Sequence, residues 1–175
     1  MPTFVLQSVI PLMFMLSMPW LDRRKVLLLW PLTHLPDIDY VLGPHRAVAH
    51  NLFILVPFIA VGLYAWRHGR RPLAEAMLIA NVYLASHIVM DIFAGGVTLL
   101  YPLSVHTTCY YATIRVVTAT NTPFLDAGRC SYDGIPVVAE IYTWLPGTEA
   151  ALLVFLVPAT LAALAWRALR RKQAA

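Results

Sequence analysis

The sequence predicts an all-α integral membrane protein of about five transmembrane helices with a small β-containing extracytoplasmic segment. Two observations lead there. The chain is 59% hydrophobic and only 13% charged, where a soluble domain carries about 25% charged residues, and its mean hydropathy is +0.67. Its basic residues gather in short clusters at segment ends: Arg23-Arg24-Lys25, Arg67 with Arg70-Arg71, and Arg170-Arg171-Lys172. That distribution orients a membrane protein and is not a nucleic-acid footprint, so no nucleic-acid partner is expected. The length allows one membrane domain, 1–175, with spans of roughly 20 residues each.

Taken in order, span one covers 3–20 and lacks both a basic leading region and a small-residue cleavage site, so it reads as a retained span. Span two, 26–43, is short, carries Pro31 and Pro36, and ends in Asp37-Ile38-Asp39. It is either a full crossing or a broken helix facing a polar cavity, where irregular backbone is tolerated. Spans three, four and five cover 48–66, 72–93 and 148–169. Placing every basic cluster in the cytoplasm requires five crossings, an outside N-terminus and a cytoplasmic C-terminus in the cell membrane. The connecting segment 101–147 then lies outside. Within it Tyr110–Thr120 alternates and is β-branched, and Asn121, Pro123 and Gly128 supply turn residues, which predicts a hairpin or a pair of strands. Ile135–Leu145 could be a short interfacial helix. Cys109 and Cys130 can pair in an oxidising compartment or stay as two free thiols.

The ionisable residues inside this apolar chain carry the functional argument. Asp37, Asp39 and Asp91 are three of only nine acidic residues, and a charge in a membrane segment costs about 3 kcal/mol by insertion scales, so it marks a site by default. His45, Arg46 and His50 follow the first two, and His87 lies four residues before Asp91. On a helix, that spacing puts both side chains on one face. Each fragment alone has a plain reading: a capping acidic turn, or a structural histidine. Together they come from three segments that end at one membrane depth. Three carboxylates there repel one another, and Arg46 alone cannot neutralise them. A divalent metal can, and imidazole with carboxylate suits zinc. One or two ions are expected, most simply zinc, held by Asp37, Asp39, His50, His87 and Asp91, with His45 bound directly or in support. Arg46 is placed either on a substrate phosphate, through its fork of donors, or in a salt bridge to Asp37 or Asp39. His106 could complete the site from the outer loop, and Glu140 could act as an acid. His68, in a cytoplasmic basic cluster, is set apart.

The motifs Leu35-Pro36-Asp37-Ile38-Asp39, His45-Arg46-x-x-x-His50 and Ser86-His87-x-x-x-Asp91, followed by Gly96-Val97-x-Leu99-Leu100-Tyr101-Pro102, resemble the membrane-bound metal-dependent hydrolase family (YdjM-like). That family is distantly similar to zinc-dependent phospholipases C. The resemblance covers about 32–104. It implies that His50, His87 and Asp91 are metal ligands, with Asp91 a candidate bridge between two ions. It also implies that Asp37 or Asp39 is a ligand or orients the attacking water. Family members commonly begin with a Thr-His pair where this chain has Leu6-Gln7-Ser8, so His34 is the candidate replacement ligand. Ala47 and Ala49 stand where Gly and Thr are often seen, and no His-x-x-x-Glu pair is present. The activity implied is hydrolysis of a phosphoester in a lipid or lipid-linked substrate at the outer leaflet, with Asp37, Asp39 and Arg46 as catalytic candidates. The other class open to this sequence is a metal-binding membrane protein without catalysis.

Overall fold

The computed structural model describes residues 4–42, 46–93, 95–117, 122–135 and 160. Helix α1 (Phe4–Ser17) stops just before Met18-Pro19, because the residue preceding a proline is pushed out of the helical region. Helix α2 (Arg23–Leu29) starts at Asp22, whose carboxylate accepts the Arg24 N–H at 2.9 Å. A 3₁₀ helix (Trp30–Ile38) and a single turn, α3 (Asp39–Leu42), follow. Asn51 caps a short 3₁₀ turn (Leu52–Ile54) that leads into α4 (Leu55–Arg67). Helix α5 (Arg71–Phe93) returns antiparallel against α4. Gly62 permits the close approach: a Cβ there would lie 3.1 Å from the Met77 Cβ.

This architecture corrects the expected five-helix transmembrane fold. Among the described residues only α5 is long and apolar enough to cross a membrane, by length and composition. Its 23 residues reach about 34 Å at 1.5 Å per residue, against a hydrocarbon core of about 30 Å. The 14 residues of α1 and 13 of α4 reach only about 20 Å. The expected second span is broken into α2, the 3₁₀ helix and α3. Pro31 and Pro36 cause this, since each lacks an amide hydrogen for an α-helical ladder. The fifth expected span lies outside the described residues except for Thr160, which is helical and buried. The proposed interfacial helix at 135–145 also lies outside them after Ile135.

The core joins α1, α2 and α5 around Met15, Leu21, Val26, Ile79 and Tyr83. Two polar groups inside it find backbone partners. The Tyr83 hydroxyl donates to the Val26 carbonyl at 2.9 Å, and the Trp30 indole N–H donates to the Ser8 carbonyl at 3.1 Å. The first bond ties α5 to α2 and the second ties the start of the 3₁₀ helix to α1.

The expected β segment is an antiparallel hairpin of β1 (His106–Val117) and β2 (Thr122–Asp133). Its strands are longer than the alternation suggested. Pro123 and Gly128 lie within β2 and do not form the turn. Cys109 and Cys130 are directly opposite in the register and are joined in a disulfide. Removing both with Cys109→Ser/Cys130→Ser releases a link of separation 21, and should lower stability by about 3 kcal/mol on chain entropy. Denaturant unfolding of the purified variant checks this, and a stability equal to the parent protein's would contradict it. The hairpin is tied to the helices at Gly96, with φ +94°, where a Cβ would come within 2.7 Å of the Thr107 Cγ2. Only glycine fits that approach.

Candidate metal centre

Helix α5 buries Ile79, Ala80, Tyr83, Leu84, His87, Ile88 and Asp91 along one stripe. The stripe is apolar where it meets the core and ionisable in its last turns, so the helix packing that forms the core also delivers His87 and Asp91 inward. His87 is 0% exposed and Asp91 is 1% exposed. Facing them is His50, also 0% exposed, in the turn before α4.

Three ligand atoms converge. His50 Nε2 lies 3.1 Å from His87 Nε2 and 3.1 Å from Asp91 Oδ2, and His87 Nε2 lies 3.5 Å from the same oxygen. These buried groups, His50, His87 and Asp91, could hold a metal ion. Asp37 approaches from the 3₁₀ helix, its Oδ1 at 3.4 Å from His87 Nε2 and 3.8 Å from His50 Nε2. Its side chain retains 30% exposure, so this carboxylate stands on the open side of the cluster.

Asp39, expected beside Asp37 as a ligand, has a different task. Asp37 lies in the last turn of the 3₁₀ helix and Asp39 opens α3, and at about 100–120° per residue positions i and i+2 point apart. Asp39 Oδ2 sits 2.8 Å from His50 Nδ1, and its other oxygen accepts the Ala49 N–H. Holding the far nitrogen of a ligating imidazole orients the ring and leaves Nε2 facing the cluster.

Arg46 also departs from expectation. It is 0% exposed, so its fork is not open to a substrate phosphate, and its salt bridge is to Asp91, not to Asp37 or Asp39. Its Nη2 lies 3.6 Å from Asp91 Oδ1. The backbone there has φ +64°, and the Arg46 carbonyl accepts from both the N–H and the hydroxyl of Thr98, at 3.3 and 3.0 Å. Gln7 completes the support, donating to Asp91 Oδ1 at 3.1 Å. With Oδ1 occupied by Gln7 and Arg46, Oδ2 is turned toward the imidazoles.

His34 forms a second group with Asp37 and His87, whose ligand atoms lie within 4.8 Å of one another. His34 Nε2 is 2.6 Å from the Ser8 hydroxyl, and Nδ1 is 3.5 Å from Asp37 Oδ2. The residues at the position of the expected Thr-His pair, Gln7 and Ser8, therefore both reach the site. Gln7 is a residue that sequence reasoning did not assign, although it is one of only three hydroxyl- or amide-bearing residues in an otherwise apolar α1. His45 lies outside the described residues. His106 pairs with Asp133 at the exposed base of the hairpin at 2.9 Å, away from the cluster. His68 is exposed and bonds the Tyr64 carbonyl at 2.8 Å, capping α4. Glu140 lies outside the described residues.

The electrostatics favour a cation in the cluster. Burial pushes the His50 imidazole down, but its hydrogen bonds to Asp39 and Asp91 outweigh that and raise its pKa above the ordinary value. Burial pushes Asp37 up, but the hydrogen bond from His87 and the two nearby imidazoles outweigh it and hold the carboxyl below its usual range. Two ring nitrogens and two carboxylates facing one another want positive charge between them, as protons or as a metal.

No family model, curated protein or solved structure matches the chain. On its own geometry it is a helical protein with a disulfide-linked hairpin and a buried His/Asp group that could hold a metal ion.

Proposed function

We propose that this chain is a membrane-bound hydrolase with a zinc ion on the His50, His87 and Asp91 triangle, acting on a phosphoester of a lipid or lipid-linked substrate. One observation carries the metal reading. The triangle has edges of 3.1, 3.1 and 3.5 Å, and one face of a tetrahedral zinc site with bonds near 2.0–2.1 Å has edges of about 3.3 Å. Three protein ligands with water in the fourth position is the catalytic form of zinc site, as distinct from the closed structural form, and Asp37 Oδ1, 3.4 and 3.8 Å from the two imidazole nitrogens, borders that position here. The chemistry such an ion supplies is polarisation of a phosphoryl oxygen and acidification of water toward a pKa of about 7.

The surrounding side chains have separate tasks in this reading. Asp37, ionised and partly exposed beside the open position, takes the proton from the attacking water. Asp39 keeps His50 in register, and Arg46 with Gln7 keeps Asp91 in register. The order and spacing of the motifs resembling the membrane-bound metal-dependent hydrolases support the reaction class. Membrane placement is supported by α5 and by apolar side chains left exposed on α4 and α5, among them Leu63 at 55%, Trp66 at 56% and Leu78 at 51%. The basic clusters at 23–25 and 67–71 lie at one end of the fold, where Lys25 pairs with Glu75, one turn beyond Arg71 on α5. His87 is about 24 Å further along α5 from Arg71. With basic residues inside, the cluster lies toward the outer leaflet.

Purified protein assayed for metal content and for hydrolysis of phospholipids and lipid phosphates tests the proposal. Bound metal with no turnover on any phosphoester would favour a non-catalytic metal site. Asp37→Asn should keep the metal and lower turnover by about 10²–10⁴, the usual worth of a general base. Loss of metal in that variant would make Asp37 a ligand instead of the base.

A further inference from the structure

A groove of about 940 Å³ runs between α4 and α5 and opens beside α2. It lies on the other face of α5 from the metal cluster: Leu78, Val82 and Ala85 line it, and Ala85 is about 160° round the helix from His87. The opposite wall is Phe58 and Ile59 of α4. From Pro72 to Ala85 the groove follows α5 for about 20 Å, more than the roughly 15 Å hydrocarbon depth of one leaflet.

The mouth of the groove differs from its walls. Lys25, Arg71, Trp20 and Trp66 line it at the basic end of the fold. The Arg71 guanidinium sits 5.8 Å from the centre of the Trp66 ring, and Lys25 is paired with Glu75. Arg23, Arg24, Arg67 and Arg70 are exposed nearby. Among the described residues, Asp22, capping α2, and Glu75, which itself lines the groove, stand against these six cations. Tryptophan and excess positive charge at the head of an apolar slot suit the interface of a membrane leaflet rich in anionic lipid.

We propose that the groove binds one phospholipid with an anionic head group, its phosphate at Lys25 and Arg71 and an acyl chain between α4 and α5. The site is separate from the metal cluster: it lies on the other face of α5, and its basic mouth is at the other end of the helix. It rests on the membrane placement proposed above but not on the metal or the hydrolysis. Charge complementarity selects the occupant: a neutral lipid would leave the excess cations at the mouth unanswered, and a second apolar helix would have nothing to offer them.

Native mass spectrometry of the full chain, released from detergent after incubation with equal phosphatidylglycerol and phosphatidylcholine of the same acyl chains, tests this. The wild-type protein should retain the anionic lipid in preference by on the order of tenfold. Arg71→Glu should bring the preference to about one, while Arg71→Lys keeps it. Ala85→Trp, which fills the groove from the side away from the core, should lose both lipids while melting within a few degrees of the parent. Equal retention of both lipids by the wild type would overturn the proposal, as would unchanged lipid retention in a folded Ala85→Trp variant. So would efficient cross-linking of Ala85→Cys to a cysteine placed at 150–160 or to a second copy, since protein would then fill the groove. Recovery of the chain outside the membrane fraction of cells would instead count against the membrane placement itself.

Discussion

The double variant His87→Ala/Asp91→Ala is expected to lose its metal and all metal-dependent turnover. Two of the three corners of the ligand triangle are removed, leaving His50 Nε2 as the remaining corner. One imidazole cannot hold a divalent ion against water at ordinary concentrations, so retention should fall by several orders of magnitude. Removing one buried member at a time leaves the rest of the cluster with uncompensated charge, so the single variants should lose stability as well as metal. His68→Ala is the control. That residue is exposed at the end of α4, bonded to the Tyr64 carbonyl and stacked on the Tyr64 ring, and its loss should change neither metal content nor turnover. Metal analysis of the purified variants decides the matter. Full occupancy in the double variant would refute the site.

Arg46→Ala is expected to be the most destabilising single substitution outside the ligands, by about 3–5 kcal/mol. The guanidinium is fully buried and lies 3.6 Å from Asp91 Oδ1. Taking it away leaves a buried carboxylate with the Gln7 amide as its remaining support on that oxygen. The left-handed backbone at this position persists in the variant, held by the two Thr98 bonds to the Arg46 carbonyl. Alanine at φ +64° gains nothing to offset the loss. Unfolding in denaturant, with and without added zinc, measures the effect. A change below about 1 kcal/mol would show that the pair contributes little to the folded state.

The contrast between Asp37 and Asp39 shows what could be read from residue order and what could not. His87 and Asp91 were legible because a helix repeats every 3.6 residues and puts i and i+4 on one face. His50 was legible as a site candidate because it shares their polar context, and the structure brings it to His87 and Asp91. The pair Asp37 and Asp39 looked like two equivalent carboxylates, but two residues apart at the junction of the 3₁₀ helix and α3 they diverge, Asp39 to Nδ1 of His50 and Asp37 to the Nε2 side. Arg46 could not be placed from sequence because its position depends on a left-handed residue and on Thr98, 52 positions away. Gln7, 84 positions from Asp91, was open to notice only as an amide in an apolar helix.

The fold was less legible than the site. Apolar composition marks segments that avoid water, but it does not set helix length. The stretch at 26–43 carries enough apolar residues to suggest a span, yet its two prolines end the α-helix at Leu29. The hairpin was visible in its β-branched alternation, and its strand ends were not. The pairing of Cys109 with Cys130 follows from a register that puts them opposite one another, which the sequence left open.

X-ray absorption at the zinc K-edge on the purified, metal-replete protein tests the central claim most directly. One ion is expected, with two imidazole nitrogens at about 2.0–2.1 Å and carboxylate oxygen at about 2.0–2.2 Å, and that signature is lost in His87→Ala/Asp91→Ala. A protein that retains no divalent ion with His50, His87 and Asp91 intact would contradict it, as would a coordination shell without histidine.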